Sequence, residues 1–160
     1  MTNKIIGIQG DKLDKINISS DTSIFLAHEA QKLGYKIFYY TPSNLSIIKN
    51  KTYANGVFVK LNYERKKFYK IYKKQKIDVE NFKFILIRQD PPFNSEYLIT
   101  TLILDNLKKT RVINNPVAIR NVSEKLYSKK FIKYMPDTIF SNNIEEVKKF
   151  YKQNKSIIMK

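Results

Sequence analysis

The stretch Phe84-Ile85-Leu86-Ile87-Arg88-Gln89-Asp90-Pro91-Pro92-Phe93 constrains the fold more than any other part of the chain. Four consecutive apolar residues, two of them β-branched, suit a strand covered on both faces, as in the middle of a parallel sheet. A charge inside such a strand is costly, so Arg88 and Asp90 mark the point where the chain leaves the core. Pro91-Pro92 then stops the chain from continuing as helix or sheet. In open α/β sheets ligands sit just beyond the carboxyl ends of the strands, which makes Arg88 and Asp90 candidate ligand contacts. The competing reading pairs the two with each other, or has Asp90 cap the following turn, and spacing alone favours it.

The elements around this strand follow the same alternation. Residues 4–8 read as a first strand running into a polar loop, 9–20, in which Gly7 and Gly10 are too few for a dinucleotide fingerprint. Asn17, Ser19, Ser20 and Asp21 are candidate substrate contacts; alternatively, Ser20 or Asp21 caps the next helix. That helix is expected over 22–33, with Ile24, Phe25, Ala27, Ala30 and Leu33 on one face and Gly34 as its terminator. His28, the single histidine, has no evident second ligand or Ser or Asp partner, and no chemistry is expected of it. Residues 36–40 form a second strand, completing a parallel strand-helix-strand unit that opens a Rossmann-like sheet.

The alternation is then interrupted. Residues 46–62 alternate apolar and polar around Asn55-Gly56, a strong two-residue hairpin signal, and the excursion continues through 68–77 as lysine-rich edge strands. After the Pro91-Pro92 turn, Asn94 or Ser95 caps a helix with Tyr97, Leu98, Thr101, Leu102, Leu104 and Leu107 on its apolar face. A short strand at 111–114, two helical pieces at 117–120 and 123–128 with Ser123 capping the second, a strand at 138–140, a helix at 144–154 and a strand at 156–159 complete the expectation. A chain stopping on an open strand edge is expected to be a truncated one.

Composition bounds the function. With 42% apolar residues, 11 Tyr and 10 Phe, a packed core is expected and disorder is not. The absence of cysteine excludes disulfides, thiolate zinc sites and a cysteine nucleophile. Residues 1–10 hold an apolar run too short for a signal peptide, and no stretch approaches the roughly 18 apolar residues of a membrane span, so a cytoplasmic protein off the membrane is expected. The net charge of +16 invites a nucleic-acid reading, with the densest cluster, Arg65 to Lys76, interleaved by Tyr69 and Tyr72. Lysines are nonetheless spread along nearly the whole chain and no nucleic-acid-binding motif is visible, so a solvated face is the preferred reading.

The two spaced motifs Arg88-Gln89-Asp90-Pro91-Pro92-Phe93 and Asn115-Pro116-x-x-Ile119-Arg120-Asn121-x-x-Glu124-Lys125-Leu126 resemble the prokaryotic glutathione synthetase family. The opening is similar too, with Ile16-Asn17-Ile18, Asp21-x-Ser23 and Gly34-Tyr35 in place, although Gly10-Asp11-Lys12 departs from the family's usual Met-Asp-Pro. The likeness runs to Ile157-Ile158-Met159-Lys160. It implies a Rossmann-like pre-ATP-grasp domain over 1–121, with a mostly parallel sheet and a β-hairpin excursion, and the truncated start of an ATP-grasp domain over 122–160.

It further implies the chemistry of the full-length family. ATP and Mg²⁺ phosphorylate the cysteinyl carboxylate of γ-glutamylcysteine, and the amine of glycine displaces phosphate to give glutathione. By motif, Lys125 and Lys160 match ATP contacts, while Arg88, Asp90, Asn115 and Arg120 match substrate-side or structural positions. Metal ligands and the glycine-rich phosphate loop are expected after Lys160, so residues 1–160 alone are expected to be inactive. Family members associate as tetramers, which makes a homo-oligomer an expectation; nucleic acid and membrane are not expected partners. The alternatives are another ATP-grasp carboxylate-amine ligase, which the Arg-x-Asp-Pro-Pro-Phe turn argues against, a basic nucleic-acid-binding domain, and a self-sufficient interaction domain.

Overall fold

The computed structural model describes residues 4–63, 67–122 and 125–159. The chain divides into two compact units, Met1–Asn121 and Val122–Lys160.

The first unit is built on a seven-stranded sheet. Strands β1 (Ile5–Gln9), β2 (Lys36–Tyr40), β3 (Leu45–Ile48), β4 (Lys51–Leu61), β5 (Tyr69–Asp78), β6 (Phe84–Ile87) and β7 (Arg111–Ile113) lie in the order β3-β4-β2-β1-β6-β7, with β5 paired to β4. The pairs β1–β2, β1–β6 and β6–β7 are parallel, whereas β2–β4, β3–β4 and β4–β5 are antiparallel. The architecture is therefore Rossmann-like on one side and a three-stranded antiparallel excursion on the other.

Strand periodicity separates two cores. In β2, Ile37 and Tyr39 join Ile6, Ile8, Val59 and Leu61 beneath helix α1 (Thr22–Lys32), through Ile24 and Ala27. Phe38 and Tyr40 point the other way, joining Phe58, Phe82, Ile85, Ile87 and Leu104 of helix α2 (Ser95–Asp105). Each helix starts where a side chain satisfies free amides: Asp21 accepts from Ile24 N at 2.7 Å, and Asn94 from Tyr97 N at 3.0 Å. Gly34, at φ +83°, follows the end of α1. Helix α3 (Pro116–Asn121) packs on α2.

The expected turn at Asn55-Gly56 is corrected: both residues lie inside β4. The hairpin turn is Lys49-Asn50, whose φ angles of 47° and 62° supply the backbone that a two-residue loop requires. Local turn chemistry loses to pairing here, because β4 passes from β3 to β2 at Gly56 and is bordered throughout by β5. A Cβ at Gly56 would meet the Tyr39 carbonyl oxygen and lie 2.7 Å from the Phe38 ring. The helix faces are narrower than expected, with Leu33 72% and Leu102 47% exposed.

The second unit holds a 3₁₀ segment, Leu126–Tyr134, kinked at Phe131, and helix α4 (Ile144–Asn154), capped by Asn143. The expected strands at 138–140 and 156–159 are not formed, since among the described residues neither has a neighbour to pair with. The expected cap Ser123 lies outside the described residues. No described side chain of this unit is a buried hydrophobic, and Ile158 is 88% exposed.

Two stability predictions follow from the first unit. Gly56→Ala inserts a methyl between Phe38 and the β2 backbone and is expected to cost about 1–3 kcal/mol in chemical denaturation. Glu80 ties the loop ahead of β6 to that ahead of β7. Burial works against its charge, yet amide hydrogen bonds from Lys108, Lys109 and Thr110 outweigh this and hold its carboxyl below the ordinary 4.5. A depressed carboxyl contributes its stability above the unfolded value and loses it as pH falls through the folded one. Glu80→Gln is therefore expected to destabilise by about 1 kcal/mol at pH 7, with the difference from the parent shrinking in melts run below pH 4 or so.

Candidate functional site

Three parallel strands end in one register row, Gln9 opposite both Tyr40 and Ile87. Beyond it Gly10 N still donates to Tyr40 O (3.1 Å) and Arg88 N to Gln9 O (2.7 Å), after which the loops diverge. The divergence opens a crevice of about 240 Å³ between the first loop, the turn after β2 and the Pro91-Pro92 turn leading to α2. Asp11, Lys12, Gln89, Asp90, Glu96 and Tyr97 are among its polar lining residues, and Pro91 and Pro92 line it too.

Of the residues expected at a site, Asp90 lines this crevice and Arg88 does not. Arg88 turns toward α1, its Nε donating to Ser23 Oγ and a terminal nitrogen to Thr22 Oγ1, both at 2.8 Å. The two charges do not pair with each other among the ion pairs found, and Asn94 rather than Asp90 caps α2. The Asp90 amide instead donates to Asp11 Oδ2 at 3.0 Å. Asn115 and Arg120 stand apart from the crevice: Asn115 Oδ1 accepts from Ala118 N at 2.9 Å, and Arg120 pairs with Asp105 of α2 at 2.7 Å. In the first loop, Asn17 is engaged by Ser19 and Asp21 caps α1, so these polar residues serve the loop itself. His28 sits on α1 with Nδ1 3.7 Å from Glu29.

Asp11, Lys12 and Gln89 were not singled out by sequence reasoning. Their signal was position: the first two directly follow the end of β1, and Gln89 lies between two conspicuous charges. Gln89 is only 8% exposed and Gln9 is fully buried; Gln9 Nε2 donates to Gln89 Oε1.

The charges around the crevice act on two phenols. Burial pushes Tyr39 up, and Asp21, Asp11 and Asp90 add to the shift; its hydroxyl donates to Asp11 O at 2.6 Å. Tyr97 is also raised by burial, with Arg88 opposing and Asp90 and Asp11 reinforcing. Lys125 belongs to the second unit, exposed, its carbonyl accepting from Ser128 N at 3.3 Å. Lys160 lies outside the described residues. Among the described residues no group of three or more His, Asp or Glu is arranged to hold a metal ion. No described helix is long and apolar enough to cross a membrane.

A sheet covered by helices on both faces, with a polar crevice at the carboxyl ends of its parallel strands, defines an open α/β domain of the Rossmann-like class, in which ligands generally sit at that edge. Residues 5–120 match the family described as prokaryotic glutathione synthetase, N-terminal domain, and the chain belongs to it. Proteins named glutathione synthetase from Mesorhizobium japonicum, Buchnera aphidicola subsp. Acyrthosiphon pisum and Salmonella typhimurium are 36%, 34% and 32% identical over 156, 157 and 157 residues. Each match covers 97% of this chain and 50%, 49% and 50% of the respective relative, so the chain spans about half their length. The other ATP-grasp ligase and the nucleic-acid module find no support in these relatives.

The opposed charges around Tyr97 are separable. Asp90→Asn is expected to lower its phenol toward the ordinary 10.0 and Arg88→Gln to raise it further, read by the ring-carbon shift in an NMR pH titration.

Proposed function

We propose that this chain supplies the amino-terminal half of a glutathione synthetase, the ligase that joins γ-glutamylcysteine and glycine at the expense of ATP. The observation that carries the reading is the match of 97% of the chain to half of each glutathione synthetase. In this reading 1–121 is the pre-ATP-grasp domain and 122–160 begins the ATP-grasp domain. The exposed apolar side chains of the second unit, Ile132, Ile144, Ile158 and Met159 among them, suit a segment completed by further chain.

The reaction needs a carboxylate made electrophilic, because its oxygen is a poor leaving group. ATP supplies the phosphoryl group that cures this by forming an acyl phosphate. The residues of the first unit bind and orient the carboxylate-bearing substrate: Asp90 at the crevice, Arg88 by fastening the Gln89-Asp90 turn to α1. In this reading Lys125 and Lys160 contact the nucleotide, where their charge favours phosphate oxygens. Asn115 and Arg120 act by shaping α3 and its seat on α2. The described residues carry no step through Mg²⁺, whose ligands belong to the other half of the enzyme in this reading.

The test is a ligase assay on the protein encoded by the complete reading frame. ADP release that depends on both γ-glutamylcysteine and glycine, with glutathione as product, is expected. Lys125→Ala is expected to raise the KM for ATP about tenfold or more, the loss of one close charge contact. ATP turnover indifferent to γ-glutamylcysteine would overturn the proposal.

A further inference from the structure

Buried polar atoms are nearly always hydrogen-bonded, so those without a partner in the chain point to a group that the chain does not supply. Among the described residues they include Gln9 Oε1 and the Tyr40 hydroxyl, and these two belong together. Gln9 and Tyr40 are register partners on the parallel strands β1 and β2, where paired residues turn to the same face of the sheet. That face is the α2 side, since Tyr40 packs in the core that holds Phe38, Phe82, Ile85 and Leu104. Gln9 is 0% exposed and Tyr40 2%, so neither atom reaches bulk solvent. Their chemistry is complementary: a carboxamide oxygen only accepts, and a phenol donates. Burial pushes the Tyr40 phenol far above its ordinary 10.0, so its proton stays in place. Yet no hydrogen bond joins them.

Turning the amides over does not close the gap. Gln9 Nε2 donates to Gln89 Oε1, and reversing Gln9 alone would set oxygen against oxygen. Reversing both glutamines would exchange the orphan oxygen for an orphan nitrogen. The missing group must therefore be small and uncharged, and must both donate and accept, which is the description of water. Neighbouring strands lie about 4.8 Å apart, close to the roughly 4.5–5 Å that two hydrogen bonds of about 2.8 Å span through one water oxygen. We propose that the α2 side of the sheet holds one internal water molecule, which accepts from the Tyr40 hydroxyl and donates to Gln9 Oε1. With it the polar groups form one series, from Tyr40 through the water and Gln9 to Gln89 at the crevice. The water fixes which way the Gln9 amide faces, and Gln9 in turn fixes Gln89. Both are positioning groups, and neither needs to touch a ligand.

A crystal structure of the protein that resolves ordered solvent is expected to show a water within about 3.2 Å of both Gln9 Oε1 and the Tyr40 hydroxyl. A direct bond between those two atoms, or a site without density, would overturn the proposal. Tyr40→Phe gives the answer in solution, because the ring stays and only the hydroxyl goes. A bridged hydroxyl contributes a hydrogen bond, so its loss is expected to lower the melting temperature by about 2–8 °C. A dry hydroxyl is a buried cost, and a melting temperature that is unchanged or raised in Tyr40→Phe would sink the water site. The two residues are also expected to be coupled. In a Gln9→Met background, where the water has lost its acceptor, Tyr40→Phe should lower the melting temperature by less than half of what it does in the parent. Full additivity of the two substitutions would likewise rule out the bridge.

Discussion

The parallel pairing of β1 with β2 on one side and β6 on the other is the constraint on which the first unit depends. Ile8, Phe38 and Ile85 are each wholly buried in it, and none can leave without opening a core. Parallel strands share a direction, so three carboxyl ends must meet at one edge. There the ladder runs out and loop amides lose their strand partners. Side chains and loop atoms take over: Asp11 receives the Asp90 amide and Tyr39 donates to the Asp11 carbonyl. A polar crevice at this edge follows from the pairing itself, before any ligand is considered.

The excess of lysine has a different cause. Lys70, Lys73, Lys74 and Lys76 lie on β5, which among the described residues pairs only with β4 and leaves its other edge unpaired. Charged side chains on such an edge disfavour strand addition by other molecules. Lys76 lies over the Tyr53 ring at 4.9 Å, and Tyr72 stacks on Phe58, so part of the basic and aromatic alternation is spent on covering the sheet. Arg65 and Lys66, at the start of the cluster, lie outside the described residues. Three of the acids, Asp11, Asp90 and Glu96, line the crevice where the parallel strands end, beside Lys12.

Much of this was legible in the sequence, for identifiable reasons. The run Phe84 to Ile87 reads as a buried strand because nothing polar interrupts it, and Asp21 and Asn94 read as caps because their chemistry is local. Asn55-Gly56 misled because a dipeptide rule cannot see the long-range pairing that holds β4 straight. Leu33 and Leu102 were placed on buried faces by periodicity, but how wide a stripe each helix buries is set by the sheet beneath it. Asp11 and Gln89 are 78 residues apart in the chain and meet only through the β1–β6 register; no spacing rule joins them. The segments at 138–140 and 156–159 are apolar enough to be strands, but a strand exists only with a partner.

The Arg88-Gln89-Asp90 turn shows how period two sorts a motif. Continuing the alternation of β6, Leu86 belongs with the α1 core, Ile85 and Ile87 with the α2 core. Arg88 falls on the α1 side and Gln89 on the α2 side, where the crevice lies. The conspicuous cation is thus committed to the start of α1, an unfavourable place for positive charge beside the helix amino terminus. Asp21, the cap of that helix, and two hydroxyls make it tolerable there. What the arrangement achieves is to fix the turn from behind. With its guanidinium fastened to α1 and its amide to Gln9, Arg88 leaves the next residue little freedom, and the inconspicuous glutamine is held facing the crevice.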